Sequence, residues 1–137
     1  GVDANSIIAI CAKTEAQLAD LPEEDQKDYL TSLGVEKSGL ERLIQKAFKT
    51  LGLATFLTAG EKEVRAWTIR EDIKAPLAAG VIHTDFEKKF IKADVVSFDD
   101  FINCGGWKLA RDNGKVRSEG KEYKVCDGDV IEFKIGA

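Results

Sequence analysis

The sequence holds one histidine, two prolines and three cysteines among 137 residues, and each scarcity closes a class of function. Cys11, Cys104 and Cys126 are odd in number and widely spaced, with no C-x-x-C pair. With a single histidine they assemble no zinc set, so reduced thiols and no metal site are expected. No G-x-x-x-x-G-K-[ST], G-x-G-x-x-G, G-x-S-x-G or H-E-x-x-H occurs, which removes the common phosphate-cradling, nucleophile-elbow and zincin signatures. The longest apolar runs, such as SIIAICA (6–12), are far too short to span a bilayer. No basic segment followed by an apolar stretch and a cleavage site opens the sequence, so a mature or cytosolic protein, cytoplasmic in location, is expected.

What is present reads as globular. Hydrophobic residues make up 44% and charged residues 32%, a balance that supports a folded core and excludes a disordered chain. The net charge of −4 is unevenly shared: residues 1–59 carry six Lys/Arg against nine Asp/Glu, residues 60–137 fourteen against fifteen. A nucleic-acid footprint would therefore be one face of the second half rather than a whole basic domain.

The opening run Ile7-Ile8-Ala9-Ile10-Cys11-Ala12 has the continuous, β-branched character of a strand buried on both faces. No other strand signal follows until residue 54, which suggests the edge of a larger sheet. Thr14-x-x-Gln17 is a capping box that predicts a helix from Glu15. Pro22 predicts a second helix to about Leu33, stopped by Gly34, and Ser38 with Glu41 predicts a third. In that third helix Leu40, Leu43, Ile44, Ala47, Phe48 and Leu51 share one stripe before Gly52.

From residue 54 the period changes to two. ATFLTA and VRAWTIR around Gly60 predict a hairpin, Ala75-Pro76 a helix start, and KADVVSF (92–98) a strand. DDFIN and WKLARDN predict short helical turns, and EYKV, a DGD turn and VIEFKI a final strand pair. The order predicts an α+β fold of the β-grasp (ubiquitin-like) kind, a small mixed sheet with one helix across it. Its expected core is Phe56, Ile69, Val81, Ile82, Phe86, Val95, Ile131 and Phe133.

His83 invites a catalytic reading because Asp85 is two residues away. Side chains at that spacing do not face one another on a helix, and no serine stands in a nucleophile elbow, so a helix-end role is expected and a binding role stays open. Asp99-Asp100 reads as an N-cap and Asp127-Gly128-Asp129 as a tight turn with glycine at positive φ. No catalytic residue is expected.

Three blocks carry a more specific signal: TAGEKEVRAWTIR (58–70), APLAAGVIHTDFEKKFIKADVVSFDDF (75–101) and EGKEYKVCDGDVIEFK (119–134). Together they resemble the C-terminal TGS domain of the YchF/Obg-like ATPase family. ICAK-x-E-A-x-L and the SGLERLI helix resemble the end of that family's nucleotide-binding domain and its linking helices. The resemblance implies two regions, 1–53 as the end of a P-loop domain with its linking helices and 54–137 as the TGS β-grasp domain. SIIAICAK would then be the last strand of the P-loop domain, and Cys11-Ala12-Lys13 the loop bordering the nucleotide base. ATP or GTP with magnesium would be bound only in the intact protein, since the phosphate loop and the base-selecting box would lie upstream. The chain alone would bind no cofactor and would be non-catalytic.

The function the resemblance implies is a regulatory, ribosome- or RNA-binding module of an attached ATPase. The alternative is an autoinhibitory or protein-interaction module that packs on its own nucleotide-binding domain. The residues expected to meet RNA are Arg65, Arg70, Lys74, Lys88, Lys89, Lys92 and Lys121, with Trp67 or Trp107 for stacking. No membrane partner is expected. Self-association through residues 6–12 is an expected property of an apolar segment without a sheet.

Overall fold

A computed structural model describes residues 7–136, and the chain divides into two compact units between Leu51 and Gly52.

The first unit is helical: α1 (Ala12–Ala19), α2 (Glu23–Ser32) and α3 (Gly39–Thr50). The strand expected over residues 6–12 does not form in its described part. Residues 7–11 have no regular structure and Ala12 is already helical, while residue 6 lies outside the described residues. A strand needs a neighbouring ladder for its backbone groups, and the described part of this unit offers only helices. The segment instead lies on α3. The Arg42 guanidinium donates to the Ala9 carbonyl at 2.9 Å, and a Cβ at Gly39 would stand 3.0 Å from the Ile10 side chain.

The capping box predicted at Thr14 is also displaced. α1 starts at Ala12 with Cys11 as N-cap, and two residues of that box serve tertiary contacts instead. The Glu15 carboxylate accepts from the Gly39 and Leu40 amides at 2.7 and 3.2 Å, and Gln17 accepts from the Tyr29 hydroxyl at 2.7 Å. A carboxylate at the positive end of α3 suits the helix dipole, and Ser38 completes the cap by accepting from the Glu41 amide at 3.0 Å.

The second unit is α+β, with a mixed five-stranded sheet in the order β2-β1-β5-β3-β4. The strands are β1 (Leu53–Ala59), β2 (Val64–Arg70), β3 (Phe90–Ser97), β4 (Arg117–Glu119) and β5 (Asp129–Ile135). Only β1 and β5 run parallel. The helices are α4 (Ala75–Ile82), α5 (Thr84–Lys88), α6 (Phe98–Cys104) and α7 (Trp107–Asp112). The predicted hairpin is present, closed by the Gly60 amide donating to the Glu63 carbonyl at 2.9 Å.

Helices cover both sheet faces rather than the one expected. Alternation along the strands sends Ala54, Phe56, Ile69, Ala93, Val95 and Ile131 to one face, where α4 packs with Ala75, Ala78 and Ala79. Val96 and Val130 face the other way and pack with Ala110 of α7, beside Leu57, Phe101 and Trp107. Alanines at spacing i, i+3, i+4 let α4 approach the sheet closely. The expected core residue Val81 is 44% exposed, because the buried stripe of α4 runs through those alanines. Ile82, Phe86 and Phe133 are half-buried at the core margin.

The strand predicted for EYKV is replaced by β4, which pairs with β3 through Ser118 opposite Asp94. Residues 122–125 instead bond the chain before α4. The Ala75 amide donates to the Tyr123 carbonyl at 2.8 Å, and the Val125 amide to the Ile73 carbonyl at 2.9 Å. Among the described residues no helix is long and apolar enough to cross a membrane.

Candidate functional site

Sheet order decides which of the basic residues singled out by the sequence stand together. Arg65 and Arg70 lie on the edge strand β2, whereas Lys92 lies on β3, three strands away in the order β2-β1-β5-β3. At about 4.8 Å per strand that is a separation of roughly 14 Å between backbones. Lys88 is the last residue of α5 and Lys89 its C-cap. Lys121 stands in the turn after β4, and Lys74 is the N-cap of α4. The seven cations are therefore spread over several elements, with Lys88 and Lys89 consecutive at the end of α5.

Partners separate them further. Lys74 pairs with Glu122 at 2.7 Å. Lys92 donates to Ser118 at 3.0 Å and lies 3.5 Å from the Asp94 carboxylate. Lys88, Lys89 and Lys121 are exposed and take part in no ion pair among the described residues. Exposed pairs such as Lys74–Glu122 are worth about 0–1 kcal/mol, so they lower the availability of a cation without removing it.

Neither tryptophan is a free stacking platform. Trp67 stacks on Phe56 with ring centres 6.5 Å apart, carries the Arg65 guanidinium 4.1 Å from its own centre, and donates to the Thr58 hydroxyl at 2.9 Å. Trp107 meets Phe101 edge-on at 5.5 Å, lies under Arg111 at 5.3 Å, and donates to the Ala59 carbonyl at 2.8 Å. The Arg65–Trp67 and Arg111–Trp107 contacts lie within β2 and α7, but the Phe56, Thr58 and Ala59 partners come from strand β1 and are set by strand pairing and tertiary packing.

His83 ends α4 and begins α5. Its extended backbone (φ −157°, ψ 135°) breaks the helix, and Nδ1 accepts from the Asp85 amide at 3.2 Å. The ring is exposed and 5.7 Å from Phe86. Ile82 and Phe86 thus reach the core from two separate short helices joined at this histidine. Gly80 permits the tight turn: a Cβ there would stand 2.9 Å from the Glu87 carboxylate.

The acidic pairs have structural work. Ser97, rather than an aspartate, caps α6 by accepting from the Asp100 amide at 3.2 Å. The Asp100 carboxyl is held below its ordinary range by Lys115 first and Ser97 second. In the DGD turn Gly128 has φ 79°, Asp127 accepts from the Thr55 amide at 2.7 Å, and Asp129 is buried.

Asp129 is the hub of a polar cluster that the sequence does not reveal. Its carboxylate accepts from the Tyr123 hydroxyl at 2.7 Å and the Cys126 amide at 2.9 Å, with Arg117 3.7 Å away. Burial, and then the hydrogen bond to Asp129, push the Tyr123 phenol well above its ordinary value of 10.0. Burial opposes the Arg117 charge, but Tyr123, Asp129 and Glu119 outweigh it and raise its pKa. A phenol whose folded pKa is raised stabilises the fold fully below about pH 10 and loses that contribution as pH rises through the folded value. The stability difference between the native chain and Tyr123→Phe is therefore expected to shrink above about pH 10, as measured by urea unfolding across an alkaline series. A difference that grows with pH would refute this assignment.

Cys11, Ala12 and Lys13 form the exposed start of α1. The described residues gather no trio of His, Cys, Asp or Glu for a metal ion.

Residues 53–136 match the YchF-GTPase_C family, described as "Protein of unknown function (DUF933)", and the chain belongs to that family. It is 51% identical over 129 residues to the ribosome-binding ATPase YchF of Bacillus subtilis, covering 94% of this chain and 35% of that protein. It is 50% identical to the protein of the same name from Escherichia coli O157:H7, over 93% of this chain and 35% of the relative. Obg-like ATPase 1 of Caenorhabditis elegans is 45% identical over 96% of this chain and 33% of its own length. The structure of the Schizosaccharomyces pombe YchF GTPase superposes with a TM-score of 0.76 at 38% identity, over 91% of this chain and 33% of the other. The chain thus spans about a third of the length of these relatives.

Proposed function

We propose that this chain is the C-terminal part of a ribosome-binding ATPase, and that its sheet unit is a TGS module of the β-grasp kind that contacts ribosomal RNA and regulates an attached nucleotide-binding domain. The observation that carries the reading is identity of about one half, over nearly the whole chain, to two proteins named ribosome-binding ATPase YchF. Residues 7–136 contain no phosphate loop, so ATP or GTP with magnesium is handled by residues outside this sequence. In the intact protein Cys11, Ala12 and Lys13 border the nucleotide base.

The RNA-facing surface is centred on Lys88 and Lys89, which are consecutive at the end of α5, exposed, and in no ion pair among the described residues. With both indoles engaged inside the fold, recognition rests on phosphate contacts rather than base stacking. Reversing both residues to glutamate is expected to weaken binding to ribosomal subunits about tenfold or more and to reduce the slope of log K against log salt by about one to two. Both effects are read in a sedimentation assay over a salt series.

A second reading, packing on the chain's own nucleotide-binding domain, is favoured by α3. Its residues Leu40, Leu43 and Ile44 and its C-cap Leu51 are all exposed, an apolar stripe that in water calls for a covering surface. If the reversal leaves ribosome affinity unchanged at low salt, the autoinhibitory role becomes the better account of the module.

A further inference from the structure

β2 is an edge strand, paired with β1 on one side only. The β1–β2 ladder fixes which of its backbone groups are already used. The Glu71 amide donates to the Gly52 carbonyl at 2.8 Å, and the Gly60 amide to the Glu63 carbonyl at 2.9 Å. Both contacts belong to the same antiparallel register, so the hydrogen-bonded pairs recur at every second residue: Ala54–Ile69, Phe56–Trp67 and Thr58–Arg65. The N–H and C=O groups of Val64, Ala66, Thr68 and Arg70 consequently point away from β1. All four residues are exposed. Ala66 and Thr68 are small, and neither proline nor bulge interrupts the strand, which are two of the usual protections of a free edge. Outward amides and carbonyls at this spacing are complementary to another extended strand.

Charge selects the strand. A second copy of β2, antiparallel and centred on Thr68, sets Ala66 opposite Arg70 and Thr68 opposite Thr68, so the outward backbone groups of these residues meet across the seam. In this register Arg65 falls across from Glu71 of the second copy, the residue immediately after β2 that continues its ladder to Gly52, and the two-fold axis makes the pair occur twice. Neighbouring registers are worse. A centre at Trp67 sets Glu63 against Glu71, and a centre at Ala66 leaves neither Arg65 nor Arg70 opposite a carboxylate. A shift by one residue would bring spent backbone groups to the seam.

We propose that β2 is a self-association edge, at which two copies of this chain join antiparallel about Thr68 into one continuous sheet with reciprocal Arg65–Glu71 ion pairs. This surface is distinct from residues 7–11, which lie on α3, and it goes beyond ribosome binding. The seam is a single strand long, so the dimer forms at high protein concentration and weakens as salt rises.

The test is sedimentation velocity on the 137-residue chain over a concentration series, with Arg65→Glu, Glu71→Arg and the double exchange. The native chain is expected to move from monomer to dimer with concentration. Each single variant should weaken association at least about tenfold, since it opposes like charges twice. The double exchange should restore it. Thermal melts of each variant check that the fold is intact, and restoration by the double exchange cannot come from a misfolded chain. A native chain that stays monomeric throughout would overturn the proposal. So would a double exchange that fails to recover association, or a dimer lost on deleting residues 1–12 and untouched by Glu71→Arg.

Discussion

Replacing Phe56 with alanine is expected to destabilise the sheet unit by about 3–5 kcal/mol, the range for truncating a fully buried phenylalanine. Phe56 has no exposed surface and is the largest side chain among the fully buried ones. It sits in β1, where parallel pairing to β5 and antiparallel pairing to β2 hold the backbone from both sides. Its ring meets Phe133 edge-on at 5.8 Å and stacks on Trp67. The helix above it presents Ala75, Ala78 and Ala79, which have no side-chain length with which to fill a void. The site therefore collapses poorly, and the cavity contribution adds to the lost transfer energy. Urea unfolding of the variant measures the loss. A value under about 1 kcal/mol would mean that the neighbours relax into the space, contrary to this packing.

Asp129→Ala is expected to cost about 3 kcal/mol, by a different mechanism. The carboxylate is nearly inaccessible, and its removal leaves the Tyr123 hydroxyl and the Cys126 amide without their acceptor. Arg117 loses the closest balance to its charge on that side. The damage extends to the turn that starts β5, whose Asp127 and Gly128 bond the backbone of Thr55. Asp129→Asn keeps the shape and one acceptor oxygen, so it should recover part of the loss. If alanine and asparagine are equally harmless in denaturant unfolding, Asp129 does not organise the turn.

Much of the second unit was legible in the sequence because its signals are local. The period-two runs around Gly60, the proline in the first turn of α4, and the glycines after α3 and α7 act within a few residues of themselves, and each element appears close to its expected place. The role of His83 was legible for the same reason, since a cap reaches only two residues along the chain. The strand read into residues 6–12 and the strand read into EYKV failed together. In each, β-branched or aromatic residues gave the right propensity, but a strand forms only beside a ladder. Residues 7–11 have α3 beside them, and residues 122–125 have the Ile73–Ala75 segment.

The candidate site shows the same division. Which residues are cationic, and that the family motifs run from 58 to 134, followed from the sequence alone. Which cations stand together did not. Strand order separates Arg65 from Lys92, and side-chain partners engage Lys74, Lys92 and both tryptophans. The sequence by itself determined the family, the α+β class and the turns, because these depend on residue types at short spacing. Only the tertiary structure decided the two-sided burial of the sheet, the buried Asp129 cluster and the free edge of β2. Those depend on which distant segments meet, and no local preference encodes that.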